Sequence, residues 1–271
     1  RVCAAFTHDS SAAASKWVYS HEYGRHILEN FTDGQVRTLS YENVRTDGEV
    51  DQAVEDAVRR GANVIFTTTP KLLLSSVRQA ALHPDVKILN CSLNPSYPSV
   101  RTYYPRLYGA KFIKGAIAGT LTRDGCIGYV ADYPTYGSIA SINAFAQGAR
   151  MVNANARIYL DWAHLRDGGA VGRLQAQGIV YIDYLDRLAA STGTQMGNRH
   201  NLALIQTHWG RLYQSLVRRV MEGSWKQEDQ GSSAVNYWWG MEQGVVSVLC
   251  SRRLPTGPRR LAGVLREALK A

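Results

Sequence analysis

The sequence predicts an α/β protein of two lobes, each a doubly wound, mostly parallel sheet. Short β-rich runs alternate with helical patterns, which is the grammar of βαβ units. The alternation comes in two successive series, and an irregular stretch with prolines and serines, 94–101, stands between them as a crossover. The 271 residues, 45% of them hydrophobic, suffice for two modest packed cores.

In the first series Val2 to Phe6 reads as a buried strand, Ser15 to Asn30 as a helix and Gln35 to Tyr41 as a strand. Val50, Ala53, Val54, Ala57 and Val58 follow helical spacing, and Gly61 stands where the helix should stop. Val64 to Thr68 is the next strand, Leu72 to Leu82 a helix halted before Pro84, and Val86 to Cys91 a further strand. The second series opens with a Gly- and Ala-containing helix over Phe112 to Leu121, then strand Ile127 to Ala131, helix Ile139 to Val152 and strand Arg157 to Asp161. Strands follow at Ile179 to Ile182 and Leu202 to Ile205. Leu212, Leu216, Val217, Val220 and Met221 line a helix that ends at Gly223, and Val245 to Leu249 and a terminal helix carrying Leu261, Val264, Leu265 and Leu269 complete the chain. The expected lobes are 1–102 with about 207–232, and 103–206 with about 233–271, with a ligand cleft between them.

The formal charge is +9. Its densest basic stretch, Arg252, Arg253, Arg259, Arg260, Arg266 and Lys270, surrounds a Pro/Gly-rich connection and a terminal amphipathic segment, without a DNA- or RNA-binding motif. A solvated basic face is the first expectation, a contact with anionic lipid or an acidic partner the second, and nucleic acid is not expected as a partner. No run of about 18 uncharged apolar residues occurs, so a soluble mature chain is expected, with any signal peptide or lipid anchor lying outside this sequence. The cysteines Cys3, Cys91, Cys126 and Cys250 show no C-x-x-C pairing. Buried free thiols are expected, with a Cys3–Cys91 disulfide left open because their runs look like neighbouring strands.

In open α/β sheets ligands sit at the carboxyl ends of strands, which directs attention to 7–17, 67–70, 92–94, 132–136, 183–186 and 206–209. Enzyme signatures are missing there: no G-x-G-x-x-G after a strand, no phosphate-binding G-x-x-x-x-G-K-[ST], no G-x-S-x-G. His21 and His26 superficially suggest a zinc motif, but five positions turn a helix by about 140°, so the two do not share a face. No catalytic residue, metal or cofactor is expected. Instead, rings alternate with short polar groups: Tyr133 and Tyr136 around Pro134, Tyr184 beside Asp183, His208 before Trp209, and Trp238 with Trp239. Flat rings bracket planar or sugar-like ligands, and carboxylates and amides fix their orientation. His208 suits a ligand hydrogen bond or a helix start more than acid–base work. Asp9, Ser10 and Ser11, ahead of the helix that carries Trp17, either cap that helix or offer their oxygens to a ligand. Thr68 repeats the arrangement after a later strand, and Ser92 and Asn94 after another.

The runs GANVIFTTTP, HPDVKILNCSLN, YGAKFIKGAIAGTLTRDGCIGYVADYP and INAFAQGARMVNANARIYLDW, with the closing NYWWGMEQGVVSVLC, resemble the basic membrane protein family of ABC-transporter substrate-binding lipoproteins, which includes bacterial purine nucleoside receptors. The resemblance implies a type I periplasmic-binding-protein fold whose lobes close around a small polar ligand. It also implies an extracytoplasmic, lipid-anchored monomer serving a membrane permease, and a purine nucleoside or nucleobase as cargo. The family's opening D-x-S-F-N is represented by Asp9, Ser10 and Ser11, but its Phe and Asn correspond to Ala12 and Ala13. The Asp of its I-D-G segment falls near Ser92, and its ribose-contacting Lys near Thr207 or His208. Trp17, Tyr133 or Trp209 would then supply stacking, or the cargo differs. A ligand-sensing regulatory module of the same fold is the alternative.

Overall fold

The computed structural model describes residues 1–93, 97–132, 136–163, 169–185, 187–191, 199–228 and 234–271, with 136, 191, 199, 227 and 228 described at the backbone only. The chain forms two compact units, Arg1–Pro105 with His208–Trp239, and Arg106–Thr207 with Gly240–Ala271. It passes from one to the other after Pro105, after Thr207 and after Trp239.

The first unit holds β1 (Val2–Thr7), α1 (Lys16–Asn30), β2 (Val36–Tyr41), α2 (Asp47–Arg59), β3 (Val64–Thr67), α3 (Leu73–Leu82), β4 (Lys87–Cys91) and β5 (Arg101–Pro105). After the excursion through the second unit come α7 (Trp209–Met221), α8 (Ser224–Glu228) and β11 (Asn236–Trp239). Its sheet runs β11-β5-β4-β3-β1-β2, and every pairing is parallel. A sheet covered on both faces buries its strands whole, and all six residues of β1 are buried. Thr7 lies opposite both Tyr41 and Thr67, and Thr67 opposite Asn90, so the carboxyl ends of four strands end level. That common edge positions the candidate site.

Local chemistry sets the helix limits. The Thr46 hydroxyl accepts from the Glu49 amide at the start of α2, while the Glu49 carboxylate accepts from the Arg45 amide, a reciprocal cap. The helix ends ahead of Gly61, which takes φ +90°, a backbone that costs glycine little. The crossover expected over 94–101 falls short: Arg101–Pro105 is a strand of the first sheet, and the change of unit comes after Pro105. Its residues pair on both sides, with β4 and with β11, and that long-range partner was invisible to local pattern reading.

The second unit holds α4 (Tyr108–Leu121), β6 (Cys126–Ala131), α5 (Tyr136–Val152), β7 (Arg157–Trp162), α6 (Ala170–Ala176), β8 (Tyr181–Tyr184), β9 (Arg187–Ser191), β10 (Arg199–Thr207), β12 (Val246–Cys250) and α9 (Thr256–Ala268). Its sheet runs β12-β10-β9-β8-β6-β7. β6 pairs parallel with β7 and β8, whereas β8–β9, β9–β10 and β10–β12 are antiparallel, a ribbon the sequence reading did not include. Across both sheets parallel pairs predominate. α4 lies backbone to backbone on α5, since a Cβ at Gly115 would stand 2.0 Å from the Phe145 carbonyl oxygen and one at Gly148 2.0 Å from that of Phe112.

Candidate functional site

β1 ends at Thr7, β3 at Thr67 and β4 at Cys91, and the residue just past each, His8, Thr68 and Ser92, is buried as the strand ends are. The chain then turns through Asp9–Ser11 into α1. Ser15, not Asp9, Ser10 or Ser11, caps that helix: its hydroxyl accepts from the Val18 amide at 3.2 Å. The turn is held otherwise. The Ser11 hydroxyl accepts from the Ala14 amide, the Ser10 carbonyl from the Asn43 amide, and the Asp9 carbonyl from Arg45. The Asp9 carboxylate stands 3.6 Å from Lys71.

The first turns of α1 bring Trp17, His21 and Glu22 to this edge. The Trp17 indole N–H donates to the Thr68 carbonyl at 2.7 Å, while 36% of the residue stays exposed. Its ring meets Trp209 edge-on at 5.5 Å and His21 at 4.7 Å. Trp209, the first residue of α7, is buried with its ring 3.9 Å from that of His21. This contact depends on a close helix approach: a Cβ at Gly24 would lie 2.7 Å from the Trp209 Cβ, and one at Gly210 2.7 Å from Ile27. Three expected ligand residues, Trp17, Thr68 and Trp209, thus converge.

A buried polar network lies behind them. His8 Nε2 donates to Glu22 Oε1 at 2.6 Å, and its Nδ1 pairs with the Thr68 hydroxyl at 2.7 Å. Glu22 also accepts from Ser40 and, bidentate, from Arg25. Burial pushes the Glu22 carboxyl up, but the bonds from His8, Arg25 and Ser40 outweigh it and hold the group well below the usual carboxylate range. His21 is held well below the ordinary histidine value, first by burial and then by the nearby His8, so its ring is neutral at pH 7. Its Nδ1 pairs with the Tyr213 hydroxyl at 2.5 Å, which in turn lies 3.0 Å from that of Tyr103. Among the described residues His21 Nε2 and Ser92 Oγ are buried without a hydrogen-bond partner. A buried polar atom left this way is costly unless something else meets it.

The other expected residues fall elsewhere. Asp183, on β8 of the second unit, is buried in an ion cluster with Lys111 Nζ at 2.7 Å and Lys114 Nζ at 2.6 Å, both on α4. Burial raises the Asp183 carboxyl, and the two lysines more than reverse that. Its carboxylate is turned into the unit, so the structure does not offer it as an open ligand contact. His208 is half-buried ahead of α7, and burial followed by Arg211 lowers its pKa. Trp238 is half-buried on the edge strand β11, opposite Tyr104. Asn94, Tyr133 and the Tyr136 side chain lie outside the described residues. Cys3 and Cys91 are buried free thiols; β3 runs between their strands, which removes the expected adjacency.

The sequence reading missed His8, His21, Glu22 and Tyr213. A signal existed for two of them: His21 and Glu22 stand at i+3 and i+4 from Val18, on the stripe of α1 that Leu28 also occupies, where apolar residues are the norm. Polar groups there mark a buried network. His8 and Tyr213 need the fold to find each other's neighbours.

Two α/β units, entered and re-entered by the chain, are the architecture of the type I periplasmic-binding-protein fold. A solved ABC-transporter solute-binding protein of Conexibacter woesei superposes with a TM-score of 0.70, covering 99% of this chain and 96% of that one at 13% identity. A solved transcriptional activator of the comK gene from Bacillus halodurans gives 0.72 over 100% and 98% of the two chains at 17% identity. The family of ABC transporter substrate-binding proteins described as PnrA-like matches residues 2–193, and the chain belongs to it. A purine-binding protein of Brucella abortus is 25% identical over 91% of this chain and 74% of its own length. ABC substrate-binding proteins work outside the cytoplasm and hand small molecules to a membrane permease. Among the described residues no helix is long and apolar enough to cross a membrane.

Proposed function

We propose that the chain captures a small, planar, polar molecule of the purine nucleoside or nucleobase kind for an ABC importer, as a monomeric, lipid-anchored receptor that does not turn its ligand over. The observation that carries this reading is Trp17. Its indole is fixed at the strand-end edge by the Thr68 carbonyl, by a tilted contact to His21 and by an edge contact to Trp209, yet more than a third of the residue is open. An indole held in place and still partly open suits stacking against a planar ring. In this reading it takes over the stacking role that the resemblance gives to a Phe at the position of Ala12. The buried Ser92 hydroxyl and His21 Nε2 are further polar groups available to a ligand, and Asp9, Ser10, Ser11, His208 and Trp238 remain proposed contacts. The purine-binding relative supports the ligand class. The likeness to the comK activator supports the fold alone, so the sensor alternative gains nothing specific.

The test is calorimetric titration with adenosine, guanosine, inosine, free nucleobases, hexoses and amino acids, each product analysed by mass spectrometry. Saturable binding of a purine compound returned unchanged is the expected result. Binding confined to sugars or amino acids, or conversion of the ligand, overturns the reading.

A further inference from the structure

The positive charge of this protein is not shared between its two units. The second unit carries 16 Lys and Arg against 8 Asp and Glu, net +8, while the first carries 15 against 14, net +1. Six of the second unit's cations, Arg252, Arg253, Arg259, Arg260, Arg266 and Lys270, fall between the end of β12 and the end of the chain, where Glu267 is the sole acid.

These groups form one local face. In α9, Arg259 and Arg266 recur at i and i+7, on one helical stripe beside the packed side that holds Pro258 and Ala262, and Lys270 follows two residues past the helix end. Arg252, Arg253, Arg259, Arg260 and Lys270 are exposed. Among the described residues, charge neutralisation within the face is slight. Arg259 donates to the Arg252 and Leu254 carbonyls, and Arg253 pairs with the His200 ring, neither of them an anion. Of the six, Lys270 pairs with a carboxylate, that of Glu267, at 3.4 Å. Val264, 67% exposed, follows Arg260 by one helical turn and sets an aliphatic side chain beside the cations.

We propose that this β12–α9 face of the second unit docks on the anionic phospholipid surface of the membrane outside which the protein works. Clustered basic residues next to an exposed aliphatic group match the headgroup layer, where lipid phosphates meet the cations and the acyl boundary accepts the aliphatic side chain. The family's extracytoplasmic setting puts that surface within reach and nucleic acid out of it. The inference concerns a face independent of the Trp17 edge, so ligand binding and membrane binding can fail separately.

The 271-residue chain should sediment with vesicles of phosphatidylcholine containing phosphatidylglycerol, and not with pure phosphatidylcholine. Binding should fall steeply between low and 0.5 M salt, on the order of a Debye length's change in screening. Arg252→Gln/Arg260→Gln, exposed cations whose side chains hold no hydrogen bond or ion pair among the described residues, should lower partitioning about 25-fold, from about fivefold per cation. Arg59→Gln/Arg218→Gln in the first unit should leave it within about twofold, and both variants should melt like the parent chain. Equal binding to neutral vesicles, loss of the same size in the first-unit variant, or preferential binding of single-stranded or duplex DNA over anionic vesicles overturns the proposal.

Discussion

At the scale of single residues the first unit is governed by where protons and rings sit. Trp17→Ala removes the proposed stacking ring and should weaken ligand binding about tenfold or more in calorimetry, while Trp17→Phe keeps most of it. His21 is neutral in the folded state and takes up a proton near 6.5 when unfolded, so the unfolded state binds more protons below that value. Stability therefore falls as pH drops below 6.5, by about 1.4 kcal/mol per pH unit until the folded value is reached. His21→Phe keeps a ring against Trp209 and should flatten that slope in denaturant titrations from pH 7 to 5. Glu22 acts further down the scale. Its contribution is complete above its unfolded pKa of about 4.3 and is lost as pH falls toward the depressed folded value. Glu22→Gln should cost about 1.5–3 kcal/mol at pH 7, with the gap to the parent chain closing in acid.

At the scale of elements, close approach of helix backbones is the recurrent device. α1 meets α7 at Gly24 and Gly210, and α4 meets α5 at Gly115 and Gly148. Gly24→Ala forces Cβ atoms together and should cost about 1–3 kcal/mol in chemical unfolding, and it also displaces Trp209 from His21, so ligand affinity falls with stability. Gly115→Ala presses on a backbone carbonyl that cannot rotate away, and should destabilise more, with no effect through the Trp17 edge. Element existence was legible because the apolar periodicity of α2, α5, α7 and α9 and the β-rich runs of β1, β3 and β6 are local properties. β5, β9 and β11 were not legible. Their residues carry little alternation of their own, and they become strands because a neighbour offers a complete row of backbone partners.

At the scale of the whole molecule, function enters as linkage. A ligand that binds the folded chain alone stabilises it by about 2.7 kcal/mol at 100 times its Kd, a rise in Tm of roughly 5 °C for a chain of this size. The shift should grow with the logarithm of concentration for purine compounds and be cut to about half or less in Trp17→Ala at the same concentration. A flat response to every purine would remove the proposed cargo.

The sequence by itself determined the α/β class, the order of most elements and the family, since these follow from periodicity, turn residues and recognisable runs. It also flagged Trp17, Thr68 and Trp209. Only the tertiary structure decided which flagged groups meet. Trp17, Thr68 and Trp209 stand 51 and 192 positions apart along the chain, and parallel register together with the α1–α7 contact brings them to one edge. It also decided that Asp183 is spent on two lysines, and that His8 and Glu22 stand behind Thr68. The physical reason is range: helix and strand preferences act over a few residues, whereas burial and hydrogen-bond partnership depend on which distant segments the packed core leaves side by side.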